Sequence, residues 1–206
     1  MIAIIDYGVG NLFSLVSSLR QIGANAVVTA DPAVISQADK LILPGVGAFG
    51  DAIKKLRQSG LDCVIQDQAQ IGKPILGICL GMQLLFERSY EYGNFCGLGL
   101  LKGSIIPMEG RIPPELKIPH IGWNALKFHF QSPLFRYVQE GDWVYFVHSY
   151  YASDCESSIV ASTEYGIPIT AAVQQNNIMG CQFHPEKSGE VGLAILRGFC
   201  EMEVAQ

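Results

Sequence analysis

The 206 residues are 49% hydrophobic and 16% charged, with a formal net charge of −5, which is enough apolar chain to bury a full core in a single domain spanning 1–206. No basic run or basic helix face stands out, which excludes nucleic acid and anionic membrane as expected partners. The six cysteines show no C-x-x-C pair or clustered spacing, so neither a zinc site nor a disulfide framework is expected, and no cofactor is called for. No apolar stretch approaches a membrane span, and Met1 to Asp6 lacks the basic region and cleavage site of a signal peptide; a cytoplasmic protein with reduced thiols is the expectation.

In chain order, Ile2-Ala-Ile-Ile5 is a continuous apolar run of the kind that fills a central parallel strand, and Asp6-Tyr-Gly-Val-Gly10 is its turn. Asn11 can cap a helix whose Leu12, Leu15, Val16, Leu19 and Ile22 recur at helical spacing before Gly23. Ala26 to Thr29 reads as a strand, Asp31-Pro32 opens a loop or short helix, and Lys40 to Leu43 is a strand that stops at Pro44. Helices over Asp51 to Gln58 and Asp62 to Gln70 follow, then a buried strand over Ile75 to Ile78 and a helix over Met82 to Glu87. This alternation predicts an α/β fold, a mainly parallel sheet with helices on both faces and with sites at the carboxyl ends of its strands.

After Glu87 the pattern changes. Tyr90 to Gly99 is a polar, glycine-containing loop, and Arg111 to Pro119 is proline-rich and irregular. Ser104–Pro107, Asn124–Phe128, Trp143–Ser149, Ile159–Thr163, Ile169–Gln174 and Ile178–Phe183 read as strands joined by short turns, which suggests antiparallel additions. A last helix, Val191 to Phe199, packs back through Leu193, Ile195 and Leu196.

Three segments can carry chemistry. In Lys73-Pro-Ile-Leu-Gly-Ile-Cys79-Leu-Gly-Met-Gln83 a strand ends at a cysteine between Gly77 and Gly81. This is the pattern of a nucleophile elbow, where glycines leave room for the crossing backbone and the following helix aims N–H groups at the sulfur. The spacing alone is equally compatible with an inert buried cysteine. Of four histidines, His184 is the best base: it ends a strand, and in extended chain Glu186, two residues on, points the same way and can hold the imidazole. Pro44-Gly-Val-Gly-Ala-Phe-Gly50 satisfies G-x-G-x-x-G, but it follows the third strand and lacks the Lys-Ser/Thr of a phosphate loop. Its better use is as backbone whose N–H groups, with that of Leu80, face a developing oxyanion. His148, in an aromatic strand, suits a pocket wall; His120 suits a contact surface; Trp123 reads as core; His129 has no acidic neighbour.

Gly77-Ile-Cys79-Leu-Gly-Met-Gln83 and Phe183-His184-Pro-Glu186 resemble the class I (triad) glutamine amidotransferases, which hydrolyse glutamine and deliver its ammonia to a synthase. Asp6-Tyr-Gly-Val-Gly-Asn-Leu12, Pro44 to Asp51, Pro119-His-Ile-Gly-Trp-Asn124, Tyr145-Phe-Val-His-Ser-Tyr150 and Phe183 to Ser188 narrow the resemblance to the glutaminase subunits of imidazole glycerol phosphate synthase, in histidine biosynthesis. The resemblance implies Cys79 as nucleophile, His184 as proton carrier and Glu186 as its holder, with Val46, Gly47 and Leu80 at the oxyanion. It implies that Gly47, Gln83, Glu91, Ser149 and Tyr150 hold L-glutamine. It places Pro119, Trp123, Tyr145 and Lys187 on the face that docks, in a heterodimer, on a β/α-barrel cyclase subunit. It also implies a free subunit kept nearly inactive, with the Pro-Gly-Val-Gly strand misaligned until the partner binds its ligand. A paralogue serving another synthase, a stand-alone cysteine amidohydrolase and a non-catalytic binding module are the alternatives; intact Cys79, His184 and Glu186 weigh against the last.

Overall fold

The computed structural model describes residues 1–203. The order is β1 (Ile2–Ile5), α1 (Leu12–Gln21), β2 (Ala26–Thr29), α2 (Pro32–Gln37), β3 (Lys40–Leu43), α3 (Phe49–Gln58), α4 (Leu61–Gln70), β4 (Ile75–Ile78) and α5 (Leu80–Leu84) in the first part of the chain. There follow β5 (Phe86–Ser89), β6 (Phe95–Cys96), β7 (Leu101–Pro107), β8 (His120–Ala125), β9 (Lys127–Phe128), β10 (Trp143–His148), β11 (Tyr150–Ser153), β12 (Ile159–Glu164), β13 (Pro168–Gln175), β14 (Ile178–Cys181) and α6 (Gly189–Cys200).

Eight strands form the main sheet in the order β2-β1-β3-β4-β14-β13-β12-β9. From β2 to β14 all neighbours are parallel, and from β14 to β9 they are antiparallel. Every residue of β1, β3, β4 and β14 is buried, which is why, Lys40 at the start of β3 apart, these strands read as apolar runs rather than alternating ones. Alternate residues serve two cores. Ala3, Ile5, Leu41, Leu43 and Ile75 face Ile35, Phe49, Leu56 and Ile65 of α2, α3 and α4. Ile4, Ile42, Leu76 and Ile78 face Leu15 and Leu19 of α1 and Ile195, Leu196 and Phe199 of α6. Each such side chain, fully buried, contributes about 1.5–3 kcal/mol. Asn11 caps α1, accepting from the Ser14 N–H, as its position predicts.

The structure departs from the sequence reading after Cys79. The helix expected over Met82 to Glu87 is the shorter α5, and Phe86 already belongs to β5, paired in parallel with Leu101 of β7. Leu84, Leu85 and Phe86 are buried on every side, so their apolar run carries no period that distinguishes helix from strand. The expected loop from Tyr90 to Gly99 contains β6, which pairs with β5 to extend a four-stranded sheet in the order β11-β7-β5-β6. The strand expected over Asn124 to Phe128 begins earlier, at His120, as β8, which pairs with β10 as a separate two-stranded ribbon, and its last residues form the short β9. β11, one residue after β10, was not anticipated; it leaves the ribbon and pairs with β7. Finally, β14 is no antiparallel addition, since it lies parallel to β4 in the middle of the main sheet.

Candidate active site

The parallel pairing of β4 and β14 brings the two chemical segments together. Gly77 lies opposite Gly180 and Ile78 opposite Cys181, and the Cys79 N–H donates to the Cys181 carbonyl at 2.8 Å. Both strands therefore finish side by side, with Cys79 after one and His184 shortly after the other. Cys79 has φ 53° and ψ −110°, a left-handed turn that a non-glycine residue adopts only where the surroundings enforce it. The flanking glycines show what enforces it. A Cβ at Gly81 would sit 1.8 Å from the Leu43 carbonyl oxygen, and one at Gly77 would sit 2.6 Å from the Met82 backbone. The elbow predicted from the spacing is present, with the backbone crossings that require its glycines.

His184 is buried, and its Nδ1 meets Glu186 Oε1 at 2.7 Å. The link is not the extended i, i+2 geometry that the sequence suggested. Pro185–Lys187 is a 3-10 turn that brings the carboxylate back under the ring. Burial by itself depresses His184, but hydrogen bonds to Cys79 and to Glu186, with the charges of both, outweigh it and raise it to about 10. The loop is pinned from outside as well: the His184 N–H donates to the Tyr145 carbonyl at 2.9 Å, and the Ser188 hydroxyl donates to the His184 carbonyl at 2.6 Å.

A cavity of about 380 Å³ opens over this pair, lined by Val46, Gly47, Cys79, Leu80, Gln83, Glu91, Pro119, Ser149, Tyr150, His184 and Lys187 together with Val147 and His148. The proposed oxyanion and substrate residues thus share one space with the nucleophile. Gly47 has φ +94°, and Tyr7, buried, holds the start of its segment by donating to the Pro44 carbonyl at 2.8 Å. Glu91 accepts from the Phe49 N–H at the start of α3, whose N-cap Ala48 supplies no side-chain cap. Burial raises Glu91, against the Phe49 hydrogen bond, which lowers it, and Asp51 raises it further. A wider surface groove of about 1040 Å³, from Phe128 to Arg136 and Glu201 to Glu203, holds no pairing of nucleophile and base.

The other histidines divide as follows. His148 is a pocket wall, as expected: its Nδ1 donates to the Tyr150 carbonyl at 2.8 Å. Chiefly through burial, and against that carbonyl, it is pushed down to about 3, so it stays neutral and cannot compete with His184. His120, expected on a contact surface, is buried, stacked between Phe146 and Tyr165 with its Nδ1 3.1 Å from His148 Nε2. Trp123, read as core, is instead 47% exposed, edge-on to Tyr145 at 6.0 Å. Lys187 Nζ lies 5.8 Å from the Tyr145 ring centre. Pro119 and Lys187 line the cavity, whereas Trp123 and Tyr145 do not. Gln182, which the sequence reading passed over, is fully buried beside the sulfur, its Nε2 3.7 Å from Cys79 Sγ. A polar residue between Cys181 and Phe183, two positions before His184, was the available signal.

Residues 3–202 match the family described as glutamine amidotransferase class-I. The HisH subunit of imidazole glycerol phosphate synthase from Oceanobacillus iheyensis is 56% identical over 203 residues, covering 98% of this chain and 99% of that one. The chain belongs to the class-I glutamine amidotransferases, among the HisH subunits. HisH subunits from Wolinella succinogenes and Bacillus subtilis are each 47% identical, covering 98% and 100% of this amidotransferase and 100% and 98% of their own chains. Among solved structures, one described as a glutamine amidotransferase matches with a TM-score of 0.76 at 17% identity over 98% of both chains. PurLQS from Thermotoga maritima matches with a TM-score of 0.71 at 20% identity over 96% of both. At those identities they bear on the amidotransferase fold alone, and they agree with the α/β architecture above.

Proposed function

We propose that this amidotransferase hydrolyses L-glutamine through Cys79, His184 and Glu186 and passes the ammonia to the cyclase subunit of imidazole glycerol phosphate synthase. The observation that carries the reading is the buried Glu186–His184 hydrogen bond of 2.7 Å on one ring nitrogen, with His184 and Cys79 lining the same cavity. Cys79 attacks the side-chain amide carbon, and the oxyanion turns toward the N–H groups of Val46 and Leu80 in the Gly47 segment and at the elbow. His184 gives its proton to the departing ammonia as the thioester forms, then takes one from the water that cleaves it; Glu186 holds the ring throughout. Gly47, Gln83, Glu91, Ser149 and Tyr150 bind the substrate, with the Glu91 carboxylate facing the ammonium group.

The chain acts as one amidotransferase domain in the cytoplasm. Pro119, Trp123, Tyr145 and Lys187 form its docking face in a heterodimer with a β/α-barrel subunit. The test is glutamine hydrolysis by the purified chain, alone and with the cyclase subunit plus its ribulose-phosphate ligand. Placing one oxyanion donor is worth about 10²–10³-fold, so stimulation of that order, lost in Cys79→Ala, is expected. Appreciable activity alone with no response to the partner would instead identify a free-standing hydrolase.

A further inference from the structure

The hydrogen bonds around Cys79 have a direction that can be worked out from one carbonyl. The Tyr150 backbone oxygen can only accept, and the Gln83 side chain meets it through Nε2 at 3.2 Å. That fixes which end of the Gln83 amide is the donor. The second N–H of the same Nε2 goes to Gln182 at 2.9 Å, so the atom it meets is the oxygen, Oε1. The amino end of Gln182 is therefore the one that faces Cys79 Sγ, at 3.7 Å. With a buried side chain on each side, neither amide can reverse without setting two donors or two acceptors against each other.

We infer that Gln182 is a positioning residue for the nucleophile: its side-chain N–H donates to the Cys79 sulfur, holds the thiolate opposite His184, and is itself aimed by Gln83 from the substrate cavity. The inference rests on Cys79 being the nucleophile. Sulfur is a weak acceptor as a thiol and a better one as an anion, so a buried N–H aimed at it favours the charged, attacking form. A fixed donor also restricts where the sulfur can sit in the cavity that His184 lines. Gln83, which lines the cavity, thereby connects the glutamine site to the attacking atom through two hydrogen bonds.

Alkylation of Cys79 by iodoacetamide, followed against pH by mass spectrometry of the Cys79 peptide in the full chain, reads the sulfur without reference to glutamine. Gln182→Met keeps the length and removes the donor. The expected result is a rise of about one pH unit in the alkylation midpoint and about tenfold slower labelling at neutral pH, with a lower kcat and unchanged KM in partner-stimulated hydrolysis. Gln182→Glu, closest in shape, presents acceptor oxygens to the sulfur and should move the midpoint further in the same direction, which keeps the inference testable if the methionine variant does not fold. A midpoint unmoved in either folded variant, with only melting temperature reduced, would make Gln182 a packing residue and overturn the inference. Wild-type Cys79 that resists alkylation at every pH would overturn the nucleophile assignment and this inference together, whereas a reactive Cys79 indifferent to Gln182 overturns this one alone.

Discussion

His184 keeps a proton well above the pH at which an ordinary histidine gives it up because, although burial disfavours the charge, Cys79 and Glu186 together favour it more strongly. The sign of the effect on stability follows. The folded chain holds the proton up to about pH 10, while the unfolded chain releases it near the reference value of about 6.5. The pair's contribution is complete below about 6.5 and is lost as pH rises through about 10. The melting temperature of the wild type should therefore fall between pH 7 and 10.5, and His184→Gln should lack that part of the slope. Glu186→Gln removes the charge that orients the ring, and stimulated glutamine hydrolysis should drop by about 10²–10⁴-fold with folding intact, measured as kcat. Cys79, His184 and Glu186 were legible because strand-end position and glycine or proline neighbours leave a mark in sequence. Gln182 leaves only the weak mark of a polar residue between Cys181 and Phe183, and spacing along the chain does not show that its partner lies 103 positions away.

The Gly45–Val46–Gly47 segment sets a different kind of constraint. A Cβ at Gly47 would meet nothing within 4 Å, so space is not what glycine supplies there; φ +94° is. Proline fixes φ near −65°, and Gly47→Pro forces this stretch into another path while leaving the elbow alone. Partner-stimulated hydrolysis should be abolished in that variant, and alkylation of Cys79 should proceed as in the wild type; undiminished stimulation would remove the segment from the mechanism. Elements that were buried on both faces, β1, β3 and β4, announced themselves as apolar runs. The ribbon of β8 and β10 did not. Its outer side chains, Ile121, Trp123 and Trp143, are exposed, so three of its large apolar residues break the rule that apolar means internal. Residue type alone therefore puts Trp123 in the core and His120, three residues earlier, on the surface, the reverse of where the structure has them.

Across the whole molecule, that ribbon joins the proposed docking face to His184. Trp123 stands opposite Tyr145 in register, and the Tyr145 carbonyl accepts from the His184 N–H, so a partner pressing on the ribbon pushes on the backbone that places His184. An exposed aromatic at the centre of an interface is commonly worth 2 kcal/mol or more, about 30-fold in affinity. Trp123→Ala should weaken the partner by at least that factor in titrations of stimulated hydrolysis. Since nearly half of the ring is in water, the melting temperature of the free chain should move by less than about 3 °C. The fold class was readable from strand–helix alternation, but the insertion of β14 between β4 and β13 was not, because pairing across a hundred residues is decided by the closed sheet. That placement has a consequence for protein synthesis. β4, which leads into Cys79, is made about a hundred residues before β14, which leads into His184. Until β14 has paired with β4, Cys79 has no imidazole beside it, so the two halves of the proposed catalytic pair meet only when the middle of the sheet closes.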